Sequence, residues 1–168
     1  MPKMIFDDNF PTQREHEVDR LLSPLLFLVP DIETIKIWFS SDSESEAAIE
    51  VKRRYHIAHL TLHADFFATP FEEKERTLLH ELVHVRVDGY VREVAHVLGT
   101  WVPQEIVPYV YARLEDVEEE MVDAIALGIQ RALNAGETVI WNVTPKDSSF
   151  AEMLEDEIIS GGVFKHED

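Results

Sequence analysis

The sequence predicts an α+β domain, because segments with helical spacing of apolar residues stand on both sides of a stretch of short alternating segments. Residues 15–28 carry apolar residues at helical spacing and predict a first helix, which Pro30 ends. Residues 34–39, 47–53 and 56–63 then predict about three strands in a short mixed or antiparallel sheet. Two long helices complete the predicted order.

The first long helix is predicted to begin with Thr69 as its N-cap and Pro70 in its first turn. We expect it to end near Val87, because the Asp88-Gly89 pair that follows can break a helix. A shorter helix is predicted at residues 90–98. The last long helix follows Pro108 and ends near residue 135.

The two ends of the chain give weaker patterns. Residues 1–12 are predicted to be a polar lead-in. Beyond the last helix, residues 138–143 form a candidate strand and residues 150–159 an acidic amphipathic stretch. Residues 136–168 are therefore predicted to be an acidic C-terminal tail that packs on the domain formed by residues 1–135 and could cover its cleft.

Composition excludes several classes of function. The net charge of −18 and the isoelectric point near 4.7 repel phosphate backbones and anionic lipids, so we expect no direct binding to nucleic acid or to a membrane. Without cysteine, the chain has no disulfide, thiol nucleophile or thiolate metal site. No apolar run approaches the roughly 20 residues of a membrane span and no signal-peptide pattern is present, so a cytoplasmic location is expected.

The motif that carries chemistry is HELVH at residues 80–84, an HExxH pattern on the first long helix. His80 and His84 lie one turn apart on the same helix face, so both imidazoles can bind one metal ion, and zinc suits such ligands. Glu81 projects elsewhere, which leaves its carboxylate available to polarise a water molecule. The neighbouring apolar residues fall on the opposite arc, so the histidines should face a cleft. The alternative is two ordinary histidines on a polar helix face.

A third ligand is expected on the last long helix. The predicted apolar stripe of that helix includes Val117 and Met121. Glu118 lies within this stripe, where a carboxylate is costly unless it is paired or coordinated. Glu119 and Glu120 turn about 100° and 200° further round, toward an acidic face expected to be solvated. We therefore predict Glu118 as the third ligand, with a structural salt bridge as its alternative role. His96 is less suitable because it lies 12 residues, about 18 Å along a continuous helix, from His84.

An HExxH helix followed by a metal-binding glutamate on a later helix resembles the gluzincin metallopeptidases. Residues 77–85 follow the extended zincin consensus, whereas Arg86 stands where an apolar residue is usual. The short chain is similar to the minimal members, which include small zincin-like proteins of bacteria and phages. The resemblance covers roughly residues 50–130, and residues 1–135 would then be a small zincin-like domain.

The resemblance leaves two choices for the third ligand. Many gluzincins have an aspartate four residues after that ligand, bonded to one of the histidines. Asp123 holds this position if Glu119 binds the metal, whereas Val122 holds it if Glu118 does. The family pattern thus favours Glu119, and the helix geometry favours Glu118.

The resemblance implies a zinc-dependent metallopeptidase in which His80, His84 and Glu118 hold zinc and Glu81 is the general base. The substrate would be a peptide or protein, and the negative charge of the chain favours a basic one. In zincins a strand before the HExxH helix pairs with extended substrate, a role that residues 56–63 would have here. A donor to the transition state would be chosen from four residues, Tyr90, Tyr109, Tyr111 and His96.

Two other functions remain open. The chain can be a zinc-binding regulatory or interaction protein of the zincin fold that does not cleave peptides. It can also be a non-enzymatic acidic protein that mimics DNA and has a coincidental HExxH pattern. Against the mimic, the acidic residues are spread over both halves of the chain.

Overall fold

The computed structural model describes residues 1–41 and 45–136, and only the backbone of Arg53. The fold class is α+β, as the sequence predicts. Four strands are described: β1 (Lys3–Phe6), β2 (Thr34–Ser40), β3 (Ala47–Lys52) and β4 (Ile57–His63). Three α-helices accompany them in this part of the chain: α1 (Thr12–Leu22), α2 (Phe71–Trp101) and α3 (Val107–Asn134).

The strands form one mixed sheet in the order β1-β2-β4-β3. Strand β2 is parallel to both β1 and β4, and β3 is antiparallel to β4 at the edge of the sheet. The prediction of a lead-in over residues 1–12 is wrong, because β1 lies within it and adds a fourth strand. With only four residues, β1 is too short for its alternation to be evident; Met4 and Phe6 nevertheless pack against the core.

The first two helices differ from prediction at their ends. Helix α1 stops at Leu22 and continues as a 3₁₀ helix (Ser23–Leu28), which has proline in its first turn. Helix α2 begins after Pro70 without a side-chain cap, because the Thr69 hydroxyl donates to the Phe66 carbonyl at 2.8 Å instead.

The predicted break at Asp88-Gly89 is wrong. Helix α2 runs unbroken for 31 residues to Trp101 and so includes the shorter helix expected at residues 90–98. Burial of Val85 and Val87 and the ion pair from Arg92 back to Asp88 outweigh the cost of about 1 kcal/mol for a glycine within a helix.

The main core lies between one face of the sheet and helices α1 and α2. Leu78, Leu79, Leu82 and Val83 of α2 are fully buried there, as expected from their arc of the helix. Helix α3 packs against α2 and adds residues to this core. Its buried residues are Val122, Ala126 and Ile129.

Helix α3 is rotated relative to the prediction. The predicted stripe included Val117 and Met121, which are 42% and 38% exposed. The candidate strand at residues 138–143 and the amphipathic stretch at 150–159 lie outside the described residues. Within the described part of the chain, no helix is long and apolar enough to cross a membrane.

Candidate metal centre

The two histidines of the HExxH motif point from α2 toward α3, away from the main core. Four residues of helix place the rings one above the other, with their centroids 4.7 Å apart. The Nε2 atom of His84 lies 3.0 Å from the Nε2 atom of His80, and both side chains are about one-fifth exposed. The pair therefore faces a cleft, as the sequence predicts.

Glu119 brings its carboxylate to both of these nitrogens. Its Oε2 lies 3.3 Å from Nε2 of His80, and its Oε1 lies 3.4 Å from Nε2 of His84. One ligand atom from each of the three residues falls within 4.8 Å of the others. Two imidazole nitrogens and a carboxylate oxygen converging on one point fit the donor set of a catalytic zinc site, which uses three protein ligands and leaves a position open.

Glu118, the predicted third ligand, is not part of this group. Its Oε1 contacts Nδ1 of His84 at 3.2 Å, on the far side of the ring from the converging nitrogens. The physical reason is the rotation of α3: with Val122 and Ala126 buried against α2, Glu118 reaches the outer edge of the His84 ring and Glu119 faces the cleft. Burial of the carboxylate and proximity to the two Nε2 atoms therefore favour different glutamates, since Glu118 is 17% exposed and Glu119 60%.

The ring of His80 also has a carboxylate at its Nδ1 atom. Asp123 Oδ1 lies 3.1 Å from Nδ1 of His80. A carboxylate at Nδ1 fixes the tautomer in which Nδ1–H donates and the Nε2 lone pair is free for a metal. Asp123 also lies four residues after Glu119, the spacing that the family pattern associates with the third ligand.

Glu81 lies beside the two histidines and is largely removed from solvent. Burial raises the pKa of its carboxyl above the usual value, and the nearby charge of Glu119 acts in the same direction. His84, His80 and a hydrogen bond from the backbone N–H of Ile49 in β3 oppose this rise in pKa. A carboxylate with a raised pKa accepts a proton more readily, as a general base requires.

Strand β3 forms the opposite wall of the cleft. The carbonyl of Glu46, just before β3, accepts a hydrogen bond from His63 N–H at 2.9 Å. In an antiparallel pair every second residue bonds its neighbour, so the backbone N–H and C=O groups of Ala48, Glu50 and Lys52 point toward β4. Ala47, Ile49 and Val51 then direct their backbone groups outward, in agreement with the bond from Ile49 to Glu81. The expectation that residues 56–63 pair with substrate is wrong, because β4 already has a neighbouring strand on each side.

The cleft has a volume of about 610 Å³, and six of the fourteen residues that line it are acidic. Its basic residue, Arg92, donates from Nε to Asp88 Oδ1 at 2.6 Å, and this hydrogen bond with the charge of Asp88 raises the pKa of Arg92 further. Sequence reasoning missed Arg92. The signal was its four-residue spacing from Asp88, which continues the row of His80 and His84, but the predicted helix break concealed it.

The four residues considered as transition-state donors lie elsewhere. Within the described chain, the cleft lining contains neither the three tyrosines nor His96. Tyr111 donates its hydroxyl to the Ala95 carbonyl at 3.4 Å, on the extension of α2 beyond the site.

No protein-family model, curated protein or solved structure matches this chain. The function of the chain is therefore inferred from its cleft. The cleft brings together two histidines, a carboxylate close to both and a half-buried glutamate, beside the edge of the sheet.

Proposed function

We propose that the protein is a zinc-dependent metallopeptidase of the gluzincin type, with Glu119 as the third ligand. One observation carries this proposal: the Nε2 atoms of His80 and His84 and the carboxylate of Glu119 converge beside the half-buried side chain of Glu81. The arrangement supplies the ligands and the base that metal-assisted hydrolysis needs.

The position of each residue relative to the two imidazole rings assigns its role. His80, His84 and Glu119 would hold the metal, while Glu118 and Asp123 orient the two imidazoles through their Nδ1 atoms. Bound zinc supplies Lewis acidity, which activates water and polarises a carbonyl group.

Glu81 accepts the proton of the attacking water and later passes it to the leaving amine. In the structure its carboxylate is held between the histidine pair and the Ile49 N–H, so it is already oriented toward the cleft. Rotation of the Glu81 side chain toward solvent would expose its carboxylate, but it would lose the hydrogen bond from Ile49 and its closeness to the histidines.

The substrate would lie along β3 as an added strand. The outward backbone groups of β3 offer main-chain hydrogen bonds that do not depend on the substrate's sequence. Glu115 and Glu118 line the same cleft and favour a peptide with basic side chains. Arg92 lies eight residues, about 12 Å along α2, from His84, so we assign it to binding the substrate away from the scissile bond.

The test compares metal content with cleavage of an unstructured basic protein. We expect about one zinc per chain in the wild type by elemental analysis, and loss of zinc in His84→Ala. Glu81→Gln should keep its zinc and lose cleavage. A wild type that takes up no zinc after zinc addition and dialysis would refute the site. Zinc uptake without cleavage of any peptide would leave a zinc-binding regulatory protein.

A further inference from the structure

The sheet has a second face, turned away from α1 and α2, which we call the outer sheet face. Its strand side chains alternate with those of the core, and none of them is buried in the described part of the chain. Its charged, aromatic and exposed apolar residues include Lys3, Ile5, Lys36, Trp38, Lys52 and His59.

Charge on the outer sheet face is opposite to that of the chain as a whole. Of the four lysines in the described residues, three lie on this face, and the fourth, Lys74, is buried against Glu17. The only carboxylate on the outward strand positions that the structure describes is Glu50, 4.0 Å from Lys52. Burial lowers the pKa of His59, and the charges of Lys52 and Lys36 act in the same direction.

The same face carries an exposed aromatic platform. The indole of Trp38 stacks on His59 with ring centroids 5.6 Å apart and an interplanar angle of 22°, and it is 42% exposed. Ile5 is also exposed on β1. A surface of this kind can bind a chain segment that combines acidic and apolar side chains.

We propose that residues 137–168 of the same chain dock on the outer sheet face. This segment has eight acidic residues and two lysines, and it also contains tryptophan, phenylalanine, isoleucine and valine. It therefore complements the lysines and the Trp38 platform in both respects. The proposal is independent of the metallopeptidase proposal.

The length of residues 137–168 and their covalent link to the domain favour this segment over a separate partner. Its 32 residues can extend to roughly 105–115 Å, far more than the ~42 Å length of α3 that precedes them. A segment joined to its own domain has an effective concentration on the order of mM, so weak contacts are sufficient. A nucleic acid would also need phosphate contacts, but the charge of −18 repels it.

Charge also separates this docking site from the cleft. Apart from Glu50, whose side chain lies on the outer sheet face, five acidic residues line the cleft against one arginine, so the cleft repels an acidic segment. The tail is therefore expected on the outer sheet face and not over the metal centre, although the sequence alone made the cleft a candidate.

The test is zero-length carbodiimide cross-linking of the full chain, with peptide mapping by mass spectrometry. We expect amides between Lys36 or Lys52 and carboxylates of residues 137–168. Coupling between Lys52 and Glu50 is the internal control for the reaction. Raising the salt from about 0.1 M to about 1 M shortens the Debye length from ~10 Å to ~3 Å and should lower the yield several-fold.

Matched variants complete the experiment. Lys36→Glu should reduce cross-links from the tail to Lys52 and Lys3, whereas Arg113→Glu, an exposed charge reversal on α3, should leave them unchanged. An equal mixture of isotopically labelled and unlabelled chains distinguishes cross-links within a chain from those between chains. The proposal is overturned if the tail couples only between chains or only to other amines. It is also overturned if no tail cross-link forms while Lys52 couples to Glu50.

Discussion

Replacing Glu119 with alanine should remove tight zinc binding, whereas Glu118→Ala should only weaken it. The two glutamates are neighbours on α3, yet they contact different atoms of the histidines. Glu119 lies 3.3 and 3.4 Å from the two Nε2 atoms, and Glu118 lies 3.2 Å from Nδ1 of His84. The pair of variants thus separates a metal ligand from a residue that orients one.

The magnitudes follow from these positions. Removing a carboxylate that orients a ligating histidine costs about 10–100-fold in metal affinity. This corresponds to about 1.4–2.8 kcal/mol of binding free energy. Glu119→Ala takes away one of three ligands and leaves two imidazoles, so the loss should exceed about 100-fold.

The assay is a competition titration of zinc against a chromogenic chelator at constant pH. Glu120→Ala is the matched control, because Glu120 is an exposed glutamate on the same turn and should keep the wild-type affinity. If Glu118→Ala loses as much affinity as Glu119→Ala, or more, our assignment of the third ligand is refuted.

Three further predictions concern the base, the substrate and the core. Because burial raises the pKa of Glu81 above its usual 4.5, its ionisation disfavours the metal-free fold. The stability of wild type relative to Glu81→Gln should therefore fall as pH rises above 4.5, measured by urea unfolding with a chelator present. Arg92→Ala should raise KM for a peptide that includes an acidic side chain more than it lowers kcat, and an equal loss in both would contradict a role distant from the scissile bond. Leu79→Ala, at a fully buried position, should lower the free energy of unfolding by about 2–5 kcal/mol in denaturant titrations. Tyr109→Ala, at an exposed site, should change it by less than about 0.5 kcal/mol.

Local periodicity was enough to predict much of the fold. The α+β class, the strands from residue 34 onward and the start and end of α3 follow from apolar spacing and from proline and glycine. Two failures have tertiary causes. Strand β1 exists because β2 pairs with it, and α2 continues through Gly89 because its valines pack against the core.

In the candidate site, too, the part set by a single helix could be predicted from sequence, and the part set by packing between helices could not. His80, Glu81 and His84 could be placed relative to one another from sequence, since one helix fixes their spacing. The third residue depends on how α3 is rotated about its axis, and one residue along a helix changes the direction by about 100°. The apolar residues of α3 surround much of the helix, so they did not define that rotation. Only the packing of Val122 against α2 does.

The division of the centre between two helices has a further consequence. Both histidines belong to α2, the carboxylates of Glu118, Glu119 and Asp123 that contact them belong to α3, and α3 packs chiefly on α2. A metal bound there would therefore be coupled to the docking of α3 on α2. Free zinc at about 1,000 times its dissociation constant would stabilise the packed pair of helices α2 and α3 by about 4.1 kcal/mol. Chelation of bound zinc should therefore lower the stability of the contact between α2 and α3 more than that of the sheet, so the time for which the two helices stay packed would depend on the supply of metal.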